Sequence, residues 1–171
     1  MGRRVAEHLG FDREAALTLG RAVAGSSAQM KGRALGIYEP SHEPPSRVAE
    51  ERRHELEPED TVGVRLLGRV VPAVRTAEGI RALEKDFRPA SAASVERYLV
   101  SKFGDHLYEA RAAMEQLAGS MAPKELNRRG FGLHEAFRPA VPAGARGWGA
   151  AGVLDLDRII APRVMTRARH R

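Results

Sequence analysis

Hydrophobic positions in this chain recur mostly at spacings of three and four, with one short stretch of alternation. Val5–Leu9 reads as a short helix closed by Gly10. Asp12 is a suitable N-cap for a longer helix reaching about Leu35, with Gly36 beyond it. That helix carries two apolar stripes: Ala16, Leu19, Val23, Ser27, Met30 and Ala34 on one, and Leu17, Ala24, Ala28 and Leu35 on the other. Apolar or small residues on two faces predict burial on more than one side. Its small residues (Gly20, Ala22, Ala24, Gly25, Ala28, Gly32) would let neighbours approach closely, at some cost in intrinsic helix propensity. It is the predicted centre of the domain.

Pro40–Ser46 is a Pro-rich loop, and Arg47–Glu59 has too few apolar positions to be buried, so it is expected as a solvated helix or a mobile connection. The pattern then switches. Val62, Val64 and Leu66 alternate, Gly68-Arg69 fits the Gly-X form of a type II′ turn, and a hairpin is predicted over about 62–75. Pro72 would confine its second strand to an edge. A lone hairpin is marginal, so it must lie on the helices. Thr76 is expected to cap a short helix through Leu83. Ser91 or Ser94 opens the next, with Val95, Tyr98 and Leu99 inward, and Asp105 caps one striped by Leu107, Ala110, Met114 and Leu117. Ser120 and Pro123 introduce another, bearing Leu126, Phe131, Leu133 and Phe137 and weakened by Gly130 and Gly132. A Pro/Gly/Ala-rich loop over 139–152 and a short helix at Leu154–Ile160 complete a mainly α, single helical domain of residues 1–162 with a small β-hairpin and a Gly/Pro-rich C-terminal loop. Residues 163–171 are expected to be a basic, disordered tail.

Composition adds one asymmetry. Residues 1–60 carry 9 Lys+Arg against 11 Asp+Glu, residues 61–120 carry 9 against 7, and residues 121–171 carry 10 against 4, so the net +6 is concentrated at the C-terminal end. Such a distribution points to an anionic surface met through that end. The excess of Arg (24) over Lys (4) has a bland cause in GC-rich codons and is not by itself phosphate recognition. With no cysteine, disulfides, thiolate metal sites and thiol catalysis are excluded. No apolar h-region or membrane span is visible, and a cytoplasmic protein without a membrane partner is expected.

Each candidate motif has a plainer reading beside it. Gly147-Trp148-Gly149-Ala-Ala-Gly152 matches the spacing of a dinucleotide-binding loop. Yet Pro139-Ala-Val-Pro142 before it cannot form a central strand, and no acidic residue follows at about 20 positions. An ordered loop tucking Trp148 against the helices is the preferred account, and no cofactor is expected. Val5–Glu14 has the small Ala6, the turn Gly10 and the capping Asp12 of a helix-turn-helix, with Arg13 and Arg21 able to face phosphates. Against it, no supporting helix precedes Val5, and the second helix is too apolar on two faces to lie free in a groove; a plain helical hairpin is favoured. His8, His42, His54, His106, His134 and His170 are scattered without ligand spacing, and Asp155 and Asp157 lack a third ligand, so no metal and no catalytic residue is assigned. The remaining candidates are cationic: Arg163, Arg167, Arg169 and Arg171, supported by Arg128, Arg129 and Arg146, could neutralise phosphates by counterion release. The plainer reading is a solvated terminus.

The segments Ala16–Gly25, Lys31–Ile37, Val141–Gly144, Gly147–Ala150 and Leu154–Asp157 together resemble a group of uncharacterised microbial proteins, over most of the chain up to about Ile160. The resemblance implies no activity, ligand or site. The expectation is therefore a non-catalytic binding or regulatory protein that engages nucleic acid through its basic C-terminus. The alternatives are a protein–protein interaction or homodimerisation module, and an enzyme whose residues converge from distant positions.

Overall fold

Two glycines on facing helices let the first two helices approach closely. The computed structural model describes residues 1–34 and 43–136. Helix α1 (Gly2–His8) crosses α2 (Arg13–Ala34) where Gly2 meets Gly20, and a Cβ on Gly20 would stand 2.5 Å from the backbone nitrogen of Arg3. Asp12 starts α2 as expected, its Oδ1 accepting from the backbone N–H groups of Glu14 and Ala15 at 2.9 Å each. Gly10, at φ +93°, makes the turn between the helices.

Six consecutive residues of α2, Ala15 to Gly20, are buried, so its first half is enclosed on all sides. Beyond that, among the described residues only Val23 and Ser27 are buried, Met30 is exposed, and nothing lies within 4 Å of a Cβ added to Gly25. The double-sided burial foreseen for the helix is thus confined to its N-terminal half. Leu35 and Gly36 lie outside the described residues.

Ser46 caps α3 (Arg47–Glu55), accepting from Ala49 N–H. The segment is a solvated helix with Ala49 its buried residue, held to the loop after the sheet by Arg52–Asp86 at 3.0 Å and by Arg53 over the Phe87 ring.

The sheet departs most from the sequence reading. It has three antiparallel strands in the order β1 (Thr61–Leu66), β2 (Arg69–Thr76), β3 (Gly79–Ala82). The β1–β2 turn is Leu67-Gly68, not Gly68-Arg69, with φ of +52° and +75°: two positive values, the type I′ pattern. Leu67 tolerates this conformation because its side chain is buried and its N–H donates to Asn127 Oδ1 at 3.0 Å. The helix expected over Thr76–Leu83 is instead a tight turn and β3. Thr76 caps the turn rather than a helix, its Oγ1 accepting from Glu78 N–H and donating to the Gly79 carbonyl. Pro72 therefore lies on the central strand, not an edge. It is accommodated because its carbonyl accepts from Leu83 N–H just past β3, where the β2–β3 ladder ends.

Ser91, rather than Ser94, caps α4 (Ala92–Phe103). Val95 is buried there, whereas Tyr98, expected inward, is half exposed. A 3₁₀ turn (Gly104–His106) contains Asp105, so Asp105 does not cap α5 (Leu107–Gly119), whose buried residues are Ala110, Ala113 and Ala118. Pro123 opens α6 (Pro123–Ala136), which brings Leu126 fully into the core. The main core joins Val5, Leu19 and Val23 to Val64, Leu66, Val71 and Ala73 of the sheet and to Leu126. Helices predominate, with one small sheet against them. Phe137, the loop 139–152, the Leu154–Ile160 helix and the tail lie outside the described residues.

Candidate binding surfaces

Of the cationic candidates, Arg128 and Arg129 fall within the description, as exposed neighbours on α6. Arg129 reaches Glu125 at 3.4 Å one turn back, and Arg128 makes no ion pair among the described residues. Arg146, Arg163, Arg167, Arg169 and Arg171, together with Gly147, Trp148, Gly149 and Gly152, lie outside the described residues.

Elsewhere the arginines hold the helices to one another. Glu96 on α4 receives Arg111 of α5 at 2.5 Å and Arg13 of α2 at 3.2 Å. The Arg111 hydrogen bond holds the Glu96 carboxyl below its ordinary range; burial opposes this, and the charges of Arg111, Arg13 and Arg3 assist it. Arg4 pairs with Glu7 at 2.8 Å and with Glu115 at 3.1 Å, tying α1 to α5. Arg21 pairs with Glu84 at 3.1 Å. Arg13 and Arg21, which a helix-turn-helix would turn toward phosphates, are thus committed to carboxylates, and the first half of α2 is enclosed.

A cleft of about 550 Å³ opens where the starts of α2 and α4 approach the β2–β3 turn. Its buried element is Arg81, whose Nη1 donates to the Ile80 carbonyl at 3.0 Å and whose Nη2 pairs with Glu14, with Glu78 at 3.9 Å. The cation faces two carboxylates, so the cleft holds no excess positive charge for an anion. Ser91, on its rim, is occupied as the N-cap of α4. Among the described residues, no group of three or more His, Asp or Glu is placed to hold a metal, and no helix is long and apolar enough to cross a membrane. His106 is exposed and meets only Glu109, at 3.4 Å.

The two edges of the sheet differ. On β3, Ala82 N–H donates to Thr18 Oγ1 at 3.2 Å and the Ala82 carbonyl accepts from Ala90 N–H at 2.7 Å. On β1, the bond from Arg75 N–H to the Asp60 carbonyl fixes the alternation: Val62, Val64 and Leu66 bond toward β2, while Thr61, Gly63 and Arg65 turn their backbone groups outward. Thr61 N–H is taken by the Glu57 carbonyl at 3.3 Å. The outward groups of Gly63 and Arg65 have no partner among the described residues. Exposed Val70 lies over Gly63 on the outer face, where a Cβ at 63 would meet its Cγ1 at 2.9 Å.

Sequence reasoning passed over Thr18, Arg81 and Asn127. Thr18 carried a usable signal, a lone hydroxyl amid the apolar run Ala15–Leu19. Arg81 and Asn127 carried none, because their partners Glu14 and Leu67 lie 67 and 60 residues away. No family model matches the chain, and neither a curated protein nor a solved structure matches it.

Proposed function

We propose that the protein is a non-catalytic, cytoplasmic binding protein that engages nucleic acid electrostatically through the basic residues of its C-terminal third. The observation that carries this reading is the self-neutralisation of the folded body. Residues 1–120 carry 18 Lys+Arg against 18 Asp+Glu, with ion pairs running from Arg3–Glu7 on α1 to Arg88–Glu84 after the sheet, so the net positive charge falls within residues 121–171. Paired surface arginines have little left to give a polyanion, whereas Arg163, Arg167, Arg169 and Arg171 stand in a stretch with no acidic residue. Binding of this kind is sequence-tolerant and steeply salt-dependent, losing about 0.9 of a decade per phosphate neutralised for each tenfold rise in salt. Fluorescence anisotropy on a labelled duplex at two salt concentrations tests it. Salt-insensitive binding, or unchanged affinity after truncation at Pro162, refutes it.

A second reading, a protein–protein interaction or homodimerisation module, is favoured by the open β1 edge. Strand edges with outward N–H and C=O groups template further strands unless charged side chains, a proline, a bulge or a covering element blocks them. Thr61–Leu66 contains no proline, its register with β2 runs without a break, and its one charged residue is Arg65.

A further inference from the structure

We infer that the β1 edge pairs with the β1 edge of a second copy of this chain, as antiparallel strands related by a two-fold axis at Gly63. The inference rests on the second reading above and is independent of the first. The alternation of β1 leaves the backbone groups of Gly63 and Arg65 directed away from β2. With Gly63 facing Gly63 of the second copy, Thr61 faces Arg65 in both directions. Gly63 N–H then donates to the Gly63 carbonyl across the axis, and Arg65 N–H donates to the Thr61 carbonyl, each bond made twice by symmetry. Thr61 N–H, already bonded to the Glu57 carbonyl, is not needed.

Charge selects a second copy over another strand. The turn leading into β1 carries exposed Glu57, Glu59 and Asp60, and the far end carries exposed Arg65, which has no ion pair among the described residues. A strand acidic at one end and basic at the other is complementary to itself only when antiparallel, which sets the acidic turn of each copy beside Arg65 of the other. A parallel pairing would oppose like charges.

Sedimentation and hydrogen–deuterium exchange on the full chain over a concentration series test this. The expected result is a monomer–dimer equilibrium in which the amides of Gly63 and Arg65 gain protection as the dimer forms. Those of Val62 and Val64, bonded to β2, should stay protected throughout. Arg65→Glu should weaken association at least tenfold, and Glu59→Arg added to it should restore most of the loss, with circular dichroism showing both variants folded. A dimer whose Gly63 and Arg65 amides exchange freely overturns the inference and leaves the second reading standing on another surface. Protection of those amides in a monomer overturns it too, because the chain then covers its own edge. A monomer at every concentration overturns both.

Discussion

At the β3 edge of the sheet the outward backbone groups of Ala82 are both satisfied, one by the Thr18 hydroxyl and one by Ala90 N–H. At the β1 edge, Gly63 and Arg65 have no such partner among the described residues. The two strands lie on either side of the same β2, yet among the described residues only the β3 edge has such partners. Closure at β3 comes from elements remote in sequence, since α2 brings Thr18 from 64 positions away. It also depends on how tightly α1 and α2 cross, because that crossing fixes where α2 runs. The β3 side is therefore sealed by groups of its own chain, and the β1 side directs the backbone groups of Gly63 and Arg65 outward.

The largest effect should follow from breaking the crossing. In Gly20→Ala the new Cβ stands 2.5 Å from Arg3 N, a backbone atom that cannot rotate away. Separating α1 from α2 should cost about 3 kcal/mol, larger than the ~1 kcal/mol gained in helix propensity. Gly25→Ala in the same helix meets nothing within 4 Å and should instead stabilise by about 0.5–1 kcal/mol. Denaturant unfolding of the pair checks both signs, and destabilisation by Gly25→Ala would refute the account of α2 as enclosed only in its first half.

Next in size is the seal itself. Thr18→Val keeps shape but removes the acceptor of Ala82 N–H and leaves that donor buried, at a cost of about 1–2 kcal/mol. The Ala82 amide should then exchange faster than its neighbours, making the β3 edge behave like the β1 edge. Asn127→Ala does the same at the hairpin tip. It strands the Leu67 N–H in a residue already at φ +52°, for about 1 kcal/mol measured by thermal unfolding. No loss in either variant would mean that the seal is dispensable.

These contrasts also explain what could and could not be read from the residues. The helices were mostly legible because their signals are local: Asp12 and one of Ser91 or Ser94 at the starts, and apolar spacing of three and four within, whereas the Ser46 cap of α3 was passed over. Strand β3 was not. Gly79–Ala82 is too short to show alternation, and Thr76 before it caps a turn with the same hydroxyl that would cap a helix. That miss misplaced the edge. Without β3, Pro72 was expected on an edge strand, whereas the third strand makes β2 central and leaves β1 and β3 as the edges. The turn shifted by one residue for a related reason: Leu67 is no turn former, and what holds it at positive φ is Asn127, 60 positions on. Of the candidate surfaces, the cations of α6 were legible from charge alone, and the strand edge required the pairing.

The smallest predicted effect concerns the ion pairs that join the helices on the closed side. Glu96 accepts from Arg111 at 2.5 Å and Arg13 at 3.2 Å, and its carboxyl is held below the ordinary value of 4.5, first by the Arg111 hydrogen bond. A carboxyl with a depressed folded pKa binds fewer protons in the folded state than in the unfolded one, so stability rises with pH across that window. The contribution of Glu96 is complete above pH 4.5 and is lost as pH falls through the lower folded value. Being partly exposed, the cluster should contribute less than about 1 kcal/mol. Glu96→Gln should therefore leave an unfolding profile that is shallower than the parent's below pH 4.5 and nearly parallel to it above. The variant should also leave the Ala82 amide as slow as in the parent, because the edge is sealed by Thr18 and not by charge. A steeper acid profile in the variant, or a freed Ala82 amide, would show that the ion pairs and the seal are one unit.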